Sequence, residues 1–207
     1  MAPAARMSLM ATLFRTGAGA GAGAHCNPAQ GGLRRYPAAS LDSPTEAVMT
    51  ISSLLSGYLE QRGARFDICA HPRSRTSAQT ARVAHVPLHQ IAKPVIVEDD
   101  AGCVMAIVPA DRVVKLGQLA RLLERKQLHL ADEDRIAELF IDCDRGAVPG
   151  LGMAWGVETV VDDELEANAV VYLEGGDHEC LLRLSHAEFH ALVRGARHGQ
   201  FSVVPAH

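Results

Sequence analysis

The sequence predicts an α+β fold in which a mixed, largely antiparallel sheet is flanked by helices. Two apolar segments fold back on themselves around glycine-containing turns, and segments with helical periodicity separate them. A doubly wound sheet requires strands and helices that alternate regularly, and this sequence shows no such alternation. With 207 residues and 48% hydrophobic content, the chain can bury one sizeable core. We therefore expect one folded domain.

Residues 1–48 differ in composition from the rest of the chain. They contain the stretch TGAGAGAGAH and four arginines, with Asp42 and Glu46 as the acids. So little apolar side-chain area cannot offset the entropy of ordering, so we expect a disordered extension. The alternatives are a targeting segment, because the stretch is basic and poor in acids, and a misassigned start upstream of Met49. The predicted organisation is an extension over 1–48, a globular domain over 49–195 and a tail over 196–207.

The first elements of the globular part follow from periodicity. Ile51, Leu55 and Tyr58 recur at helical spacing, and RFDICA then alternates as a strand. TSAQTARVAHV is alanine-rich and helical. IAKPVIV and VMAIV form a hairpin around an acidic turn. Because Pro94 cannot donate to a ladder, Lys93 is expected where the strand starts or at a sheet edge.

The remaining elements are two helices, a loop, a strand, a hairpin and a last helix. The helices lie around LGQLARLLER and DEDRIAELF, and the glycine-rich loop RGAVPGLGMAWG leads to the strand ETVVD. A second hairpin pairs AVVYLE with ECLLRL through Gly175 and Gly176. A capping pattern at Ser185 opens the last helix, and Gly195 ends it.

Several kinds of catalytic site are missing from the sequence. It has no GxSxG, HExxH, GxGxxG or phosphate-loop motif. The five cysteines form no CxxC pair, so we predict neither a metal site nor a cofactor. Their odd, unclustered number fits a reducing compartment, and no apolar run approaches the roughly 20 residues of a membrane span. We therefore expect a cytoplasmic protein.

The residues left for chemistry are Lys93, the loop 146–152 and polar residues just after Ala70. A lone lysine at the head of a buried hairpin either protects a sheet edge or meets an anion. The loop either marks a tight turn or presents main-chain N–H groups to an anion or a carbonyl. Spacing alone favours the structural alternative for both.

The order of these segments resembles the YbaK/ProX family of aminoacyl-tRNA deacylases, which is related to the editing insertion domain of bacterial prolyl-tRNA synthetases. AHPRSRTSAQTARVAHVP resembles the family's histidine and the helix after it, IAKPVIV its lysine-bearing strand, and RGAVPGLG its Gly-x-x-x-Pro loop. TVVDDEL and YLEGGDHECLLRLSHAEF resemble the strand, aspartate, hairpin and helix that follow. The resemblance covers residues 52–193. In the loop register beginning at Gly146, the fifth position is Gly150, and the proline falls one place early at Pro149.

The resemblance implies a curved sheet and a free-standing hydrolase that cleaves a wrong amino acid from the terminal ribose of tRNA. It implies Lys93 and Gly146 as catalytic residues: Lys93 binds a phosphate or the polar end of the substrate, and the loop amides orient the carbonyl and a water. The expected partners are aminoacyl-tRNA, above all tRNA for proline, and a prolyl-tRNA synthetase, but not DNA or membranes. The resemblance also implies substrate contacts from His71, Ala147, Val148, Pro149, Gly150, Asp162, Gly176 and His178.

Structural and functional alternatives stay open. His71 can instead cap the turn between strand and helix, and Asp162 can anchor a loop. The chain can also be a non-catalytic module that binds aminoacyl-tRNA or a synthetase, which Gly150 supports, or a protein that binds a small molecule or nucleotide. A group of basic residues forms either a phosphate-contacting face or a solvated helix surface; it consists of Arg112, Lys115, Arg121, Arg125 and Lys126.

Overall fold

The computed structural model describes residues 51–206, so the predicted extension over 1–48 lies outside the described residues. The prediction of an α+β fold is confirmed. None of the described helices is long and apolar enough to cross a membrane. The helices are α1 (Ser53–Gln61), α2 (Ser77–Val83), α3 (Leu116–Leu123), α4 (Glu133–Leu139), α5 (Asp163–Glu166) and α6 (His186–Val193). The strands are β1 (Asp67–Ala70), β2 (Ala92–Asp99), β3 (Gly102–Pro109), β4 (Val113–Val114), β5 (His129–Leu130), β6 (Glu158–Asp162), β7 (Val170–Glu174), β8 (Cys180–Ser185), β9 (Arg197–Gly199) and β10 (Ser202–Val203).

Two sheets build the domain. The five-stranded sheet has the order β5-β2-β3-β6-β9, with antiparallel pairs around β2 and parallel pairs from β3 to β6 and β9. The three-stranded sheet, β1-β8-β7, is antiparallel. A parallel bridge between Ile91 and Tyr172 joins the two sheets. Both predicted hairpins, β2–β3 and β7–β8, are present.

The segment 196–207, predicted as a tail, extends the folded part. Its strand β9 pairs with β6, and β10 pairs with β4 in a separate two-stranded ladder. Phe201, between them, is fully buried in the cluster under α3. A fully buried side chain of this size contributes about 1.5–3 kcal/mol to stability, so this segment is part of the domain.

The two faces of the five-stranded sheet carry different apolar clusters. Ala92 and Ile96 of β2 belong to the main core, together with Leu173 of the three-stranded sheet. Val95 and Val97, which alternate with them, pack on the opposite face against residues of α3. The same alternation decides where the intervening side chain of Lys93 goes.

Side-chain caps set the start of two helices near the open edge of β2. The hydroxyl of Thr76 accepts the N–H of Gln79 at the start of α2. The carboxylate of Asp132 accepts the N–H of Arg135 at the start of α4. Such a cap is typically worth about 1 kcal/mol. The caps place the first turns of both helices beside the cavity described next.

Candidate active site

A cavity of about 320 Å³ lies along the edge of β2. Because β2 pairs with β5 only at Val97 and Glu98, the earlier part of its outer edge is left to the cavity. Exposed residues of the segments that begin α2 and α4, including Arg75 and Glu133, form the mouth. Buried residues, including Ile96, form the interior. The volume lies at the lower end of the roughly 300–1,000 Å³ usual for small-molecule sites.

The glycine loop borders this cavity and is shaped by a β-turn over residues 144–147. The N–H of Ala147 donates to the carbonyl of Asp144 at 2.9 Å, and Gly146, the third residue of the turn, has a φ of 84°. Glycine adopts a positive φ there without steric cost. The N–H groups of Gly146 and Val148 have no acceptor within residues 51–206, and both residues line the cavity. The loop therefore has two main-chain donors to offer a ligand.

His178 holds this loop from the turn between β7 and β8. Its Nε2 lies 2.8 Å from the carbonyl oxygen of Arg145, and because a carbonyl only accepts, Nε2 carries the proton. The carbonyl of His178 accepts the N–H of Ser74 at 3.1 Å, so the segment after β1 joins the same network. His178 is buried and lines the cavity. The structure thus gives it a positioning contact with the loop.

Lys93 lines the same cavity, but its ammonium does not converge with the glycine loop. In the β2–β3 register Lys93 lies opposite Val108, on the face of the sheet that α3 covers, whereas the loop packs on the face of Ala92. The Nζ donates to the carbonyl of Ala110 at 3.3 Å and to that of Arg112. Burial lowers the pKa of Lys93, and the charge of Asp111 opposes that shift. Lys93 and the glycine loop were predicted to converge on one cleft. They line the same cavity, but the ammonium is bonded away from the loop.

Glu174, the last residue of β7, is a cavity residue that sequence reasoning missed. Its Oε1 is buried without a hydrogen-bond partner among the described residues. Burial raises the pKa of Glu174 to about 7; Asp177 adds to the shift and the main-chain N–H of His178 opposes it. The available signal was a carboxylate at the end of the otherwise apolar run AVVYLE.

Two predicted substrate contacts, Asp162 and His71, are not among the residues that line the cavity. Asp162 is fully buried and caps α5, and its carboxylate also accepts the N–H of Phe201 at 2.9 Å. The alternative of loop anchoring therefore describes Asp162. The Nδ1 of His71 lies 3.0 Å from the carbonyl oxygen of Pro72, and its main-chain N–H donates to Glu179. His71 thus serves the turn after β1.

Ala147, Pro149, Gly150 and Gly176 are also absent from the cavity wall. Ala147 and Pro149 are buried within the loop. A Cβ added at Gly150 would stand 3.2 Å from the Cβ of Ala92, so a larger residue there would press tightly against β2. Gly176 accepts the N–H of Asp144 through its carbonyl, which ties the loop to the β7–β8 turn.

The predicted basic face is partly neutralised by acids. Arg112 pairs with Glu164 at 3.0 Å, and Arg125 pairs with Asp99 at 2.9 Å. Pairs of this kind reduce the charge available to a phosphate backbone. Lys115, Arg121 and Lys126 are the exposed members of the group.

Comparison with known sequences identifies a family for this chain. The profile of the aminoacyl-tRNA editing domain matches residues 71–192, which include every residue of the cavity wall from Arg75 to His178. A segment of 69 residues is 35% identical to a proline–tRNA ligase of Thermosipho africanus. That segment is 33% of this chain and spans 12% of the ligase.

Solved structures share the fold. A candidate trans-editing enzyme for prolyl-tRNA synthetase matches with a TM-score of 0.64 and 25% identity, over 73% of this chain and 96% of that one. The structure of a hypothetical protein matches with a TM-score of 0.65 and 26% identity, over 73% of this chain and 100% of that one. A candidate signal transduction protein from Marinobacter aquaeolei shares the fold alone. It matches with a TM-score of 0.58 and 21% identity, over 72% of this chain and 30% of that one. This chain belongs to the aminoacyl-tRNA editing domain family.

Proposed function

We propose that the chain is an aminoacyl-tRNA deacylase, which hydrolyses the ester between a wrong amino acid and the 3′-terminal ribose of tRNA. The observation that carries the proposal is one cavity lined by Lys93 and by Gly146 and Val148, whose main-chain N–H groups have no acceptor among residues 51–206, in a chain of the editing-domain family. No cofactor is needed for this reaction.

The loop supplies the electrostatic part of the mechanism. Hydrolysis of an aminoacyl ester is downhill, so the site need only hold the carbonyl, stabilise the developing oxyanion and admit a positioned water. The N–H groups of Gly146 and Val148 donate to the oxyanion, and each donor of this kind is worth roughly 3 kcal/mol of transition-state stabilisation. His178 keeps the loop in place through Arg145.

Lys93 supplies the positive charge. A lysine ammonium has three N–H donors, and two of them go to the carbonyls of Ala110 and Arg112. The third is left for a phosphate or for the polar end of the substrate. Because the ammonium is partly removed from water, its interaction with an anion is stronger than at an exposed site.

We further propose that the chain acts in trans, in the cytoplasm, on tRNA for proline that carries a small wrong amino acid. The likeness to a segment of a proline–tRNA ligase and to a candidate trans-editing enzyme supports the tRNA and a prolyl-tRNA synthetase as partners. The modest cavity volume supports a small side chain, such as that of alanine, serine or cysteine.

A panel of charged tRNAs tests the proposal. The protein is incubated with tRNA for proline charged with alanine, serine, cysteine or proline, and the release of amino acid is followed. We expect turnover of at least one of the three mischarged forms and at least tenfold slower release of proline, since one methylene is worth about 1–3 kcal/mol of discrimination. Absence of turnover across the panel overturns the proposal.

A non-catalytic module that binds aminoacyl-tRNA is the second candidate. Two observations favour it: Gly150 stands at the family's proline position, and two of the three Lys93 donors are engaged by main-chain carbonyls. The same panel separates the candidates, because binding of the mischarged forms without release supports the module and turnover rejects it.

A further inference from the structure

We propose that Glu174 binds the free α-ammonium group of the aminoacyl ester, so that the site accepts aminoacyl-tRNA and rejects N-acylated forms such as peptidyl-tRNA. This inference rests on the proposed function and adds to it a specificity-determining residue.

The geometry around Glu174 calls for a donor that the described residues do not supply. Its Oε1 is buried in the cavity wall, and no hydrogen-bond donor of residues 51–206 reaches it. An unsatisfied buried polar group is unfavourable, and more so when it is charged. An ionised carboxylate can only accept hydrogen bonds. A ligand that satisfies Oε1 must therefore bring N–H or O–H groups, and a cationic ligand group satisfies its charge as well.

Neither Lys93 nor Arg75, the lysine and arginine that line the cavity, donates to Oε1 of Glu174. The ammonium of Lys93 is bonded to the carbonyls of Ala110 and Arg112, and Arg75 is an exposed residue of the mouth. Asp177, beside Glu174 in the β7–β8 turn, adds negative charge. The wall near Glu174 thus favours a cation brought by the substrate.

His178 connects Glu174 to the loop that would hold the ester carbonyl. Its main-chain N–H favours the ionised form of the nearby Glu174 carboxyl group, and its Nε2 donates to the carbonyl of Arg145, the residue before Gly146. The α-ammonium and the ester carbonyl of an aminoacyl group are attached to neighbouring atoms. His178 therefore contacts both the carboxyl group that would accept from the α-ammonium and the loop that would donate to the ester carbonyl.

The raised pKa of Glu174 agrees with this role. At a pKa of about 7, the empty site holds a partly protonated carboxyl group. A bound ammonium stabilises the ionised form and so lowers that pKa. A general base acting on water is the competing role for Glu174, and it does not depend on the substrate's amine.

The test compares a mischarged tRNA with the same tRNA after N-acetylation of its amino acid. In the wild-type protein we expect acetylation to lower kcat/KM by roughly 10- to 100-fold, since hydrogen bonds to charged groups are worth about 1.5–3 kcal/mol. Glu174→Gln, of equal size, should lower kcat/KM for the free-amine substrate to a similar extent and leave the acetylated substrate unchanged. Glu133→Gln, at the mouth of the same cavity, is the matched control and should preserve the preference for the free amine.

Two outcomes overturn the inference: equal rates for both substrates in the wild type, or an equal loss on both substrates in Glu174→Gln. The second outcome identifies a general base.

A binding measurement separates this inference from the proposed function. Calorimetry with a non-hydrolysable 3′-amide analogue of aminoacyl-adenosine should give at least tenfold tighter binding than with its N-acetyl form, an advantage lost in Glu174→Gln. If no tRNA is deacylated but this preference holds, the proposed function fails and the ammonium site stands; if deacylation proceeds and the analogues bind equally, only the inference fails.

Discussion

The imidazole of His178 donates from Nε2 to the main-chain carbonyl of Arg145 at 2.8 Å, across a sequence separation of 33 residues. The β7–β8 turn thereby holds the turn 144–147, whose third residue is Gly146. His178 itself has a φ of 66°, a conformation that asparagine tolerates better than most residues.

Replacing His178 with asparagine should lower kcat/KM for deacylation about fivefold. Asparagine keeps a residue suited to the positive φ, but its side chain is too short to reach the Arg145 carbonyl, and a hydrogen bond of this kind is worth about 1 kcal/mol. His178→Gln, which can reach further with its amide N–H, should recover part of the rate. Steady-state kinetics on the mischarged substrate decide the matter, and equal rates for all three proteins would contradict the positioning role.

Replacing Gly146 with alanine should abolish most of the activity, whereas Gly156→Ala should not. Both glycines have positive φ, 84° and 70°, and in neither case would an added Cβ come closer than 3.5 Å to another residue. Each substitution should therefore cost a similar 1–2 kcal/mol of stability from backbone strain. Of these two glycines, Gly146 lines the cavity and Gly156 does not. Thermal unfolding and deacylation rates on the two variants test this, and a similar loss of rate in both would assign Gly146 a purely structural role.

Replacing Lys93 with methionine, which is also unbranched and only one atom shorter but carries no charge, should lower kcat roughly 100-fold if the lysine supplies ~3 kcal/mol of transition-state stabilisation. The carbonyls of Ala110 and Arg112 also lose a donor, so a stability loss of about 1–3 kcal/mol should accompany it. Lys126→Met, at an exposed position, is the control. Rates are compared well below the unfolding temperature of each protein, and an unchanged kcat in Lys93→Met rejects the catalytic role.

The difference in the free energy of unfolding between Glu174→Gln and the wild type should depend on pH. Burial raises the pKa of Glu174 to about 7, above its ordinary value of 4.5, so the folded protein binds this proton more tightly than the unfolded chain. The wild type therefore loses stability as the pH rises from about 4.5 to 7, by about 3 kcal/mol in total. Glutamine does not titrate and removes that loss.

Chemical unfolding at pH 4.5 and pH 8 measures this difference. We expect Glu174→Gln to be more stable relative to the wild type at pH 8 than at pH 4.5. The titratable groups that influence Glu174 or share its cavity keep their identity in both proteins; they are Arg75, Lys93, Glu133, Cys143, Asp177, His178 and Cys180. A difference that is independent of pH would show that Glu174 titrates at its ordinary value.

The hairpins and capped helices could be predicted because their signals are local. Pro94 and the acidic turn define the first hairpin, and Ser185 defines the start of α6, where its hydroxyl accepts the N–H of Glu188. The strands β9 and β10 could not be predicted, since they are two or three residues long and exist through pairing with β6 and β4. Strands this short carry no periodicity of their own.

The candidate site was predicted in part for a similar reason. The family resemblance implied Gly146, Val148 and Lys93, whereas spacing alone favoured a structural role for the loop and for the lysine. Alternation along β2 shows that Lys93 and Ala92 face opposite ways, but only the tertiary structure shows on which face the loop packs. Glu174 escaped because its distinguishing property, an orphaned buried oxygen, exists only in the folded protein.

The double attachment of His178 has a consequence for how this family member can diversify. Since the side chain of His178 holds the loop and its main-chain amide favours the ionised form of Glu174, we expect a change at residue 178 to alter turnover and substrate choice together in the proposed deacylase. The cavity side chains of Ile96 and Ile136 form no hydrogen bond with that junction, so we expect substitutions there to change substrate choice with less effect on turnover.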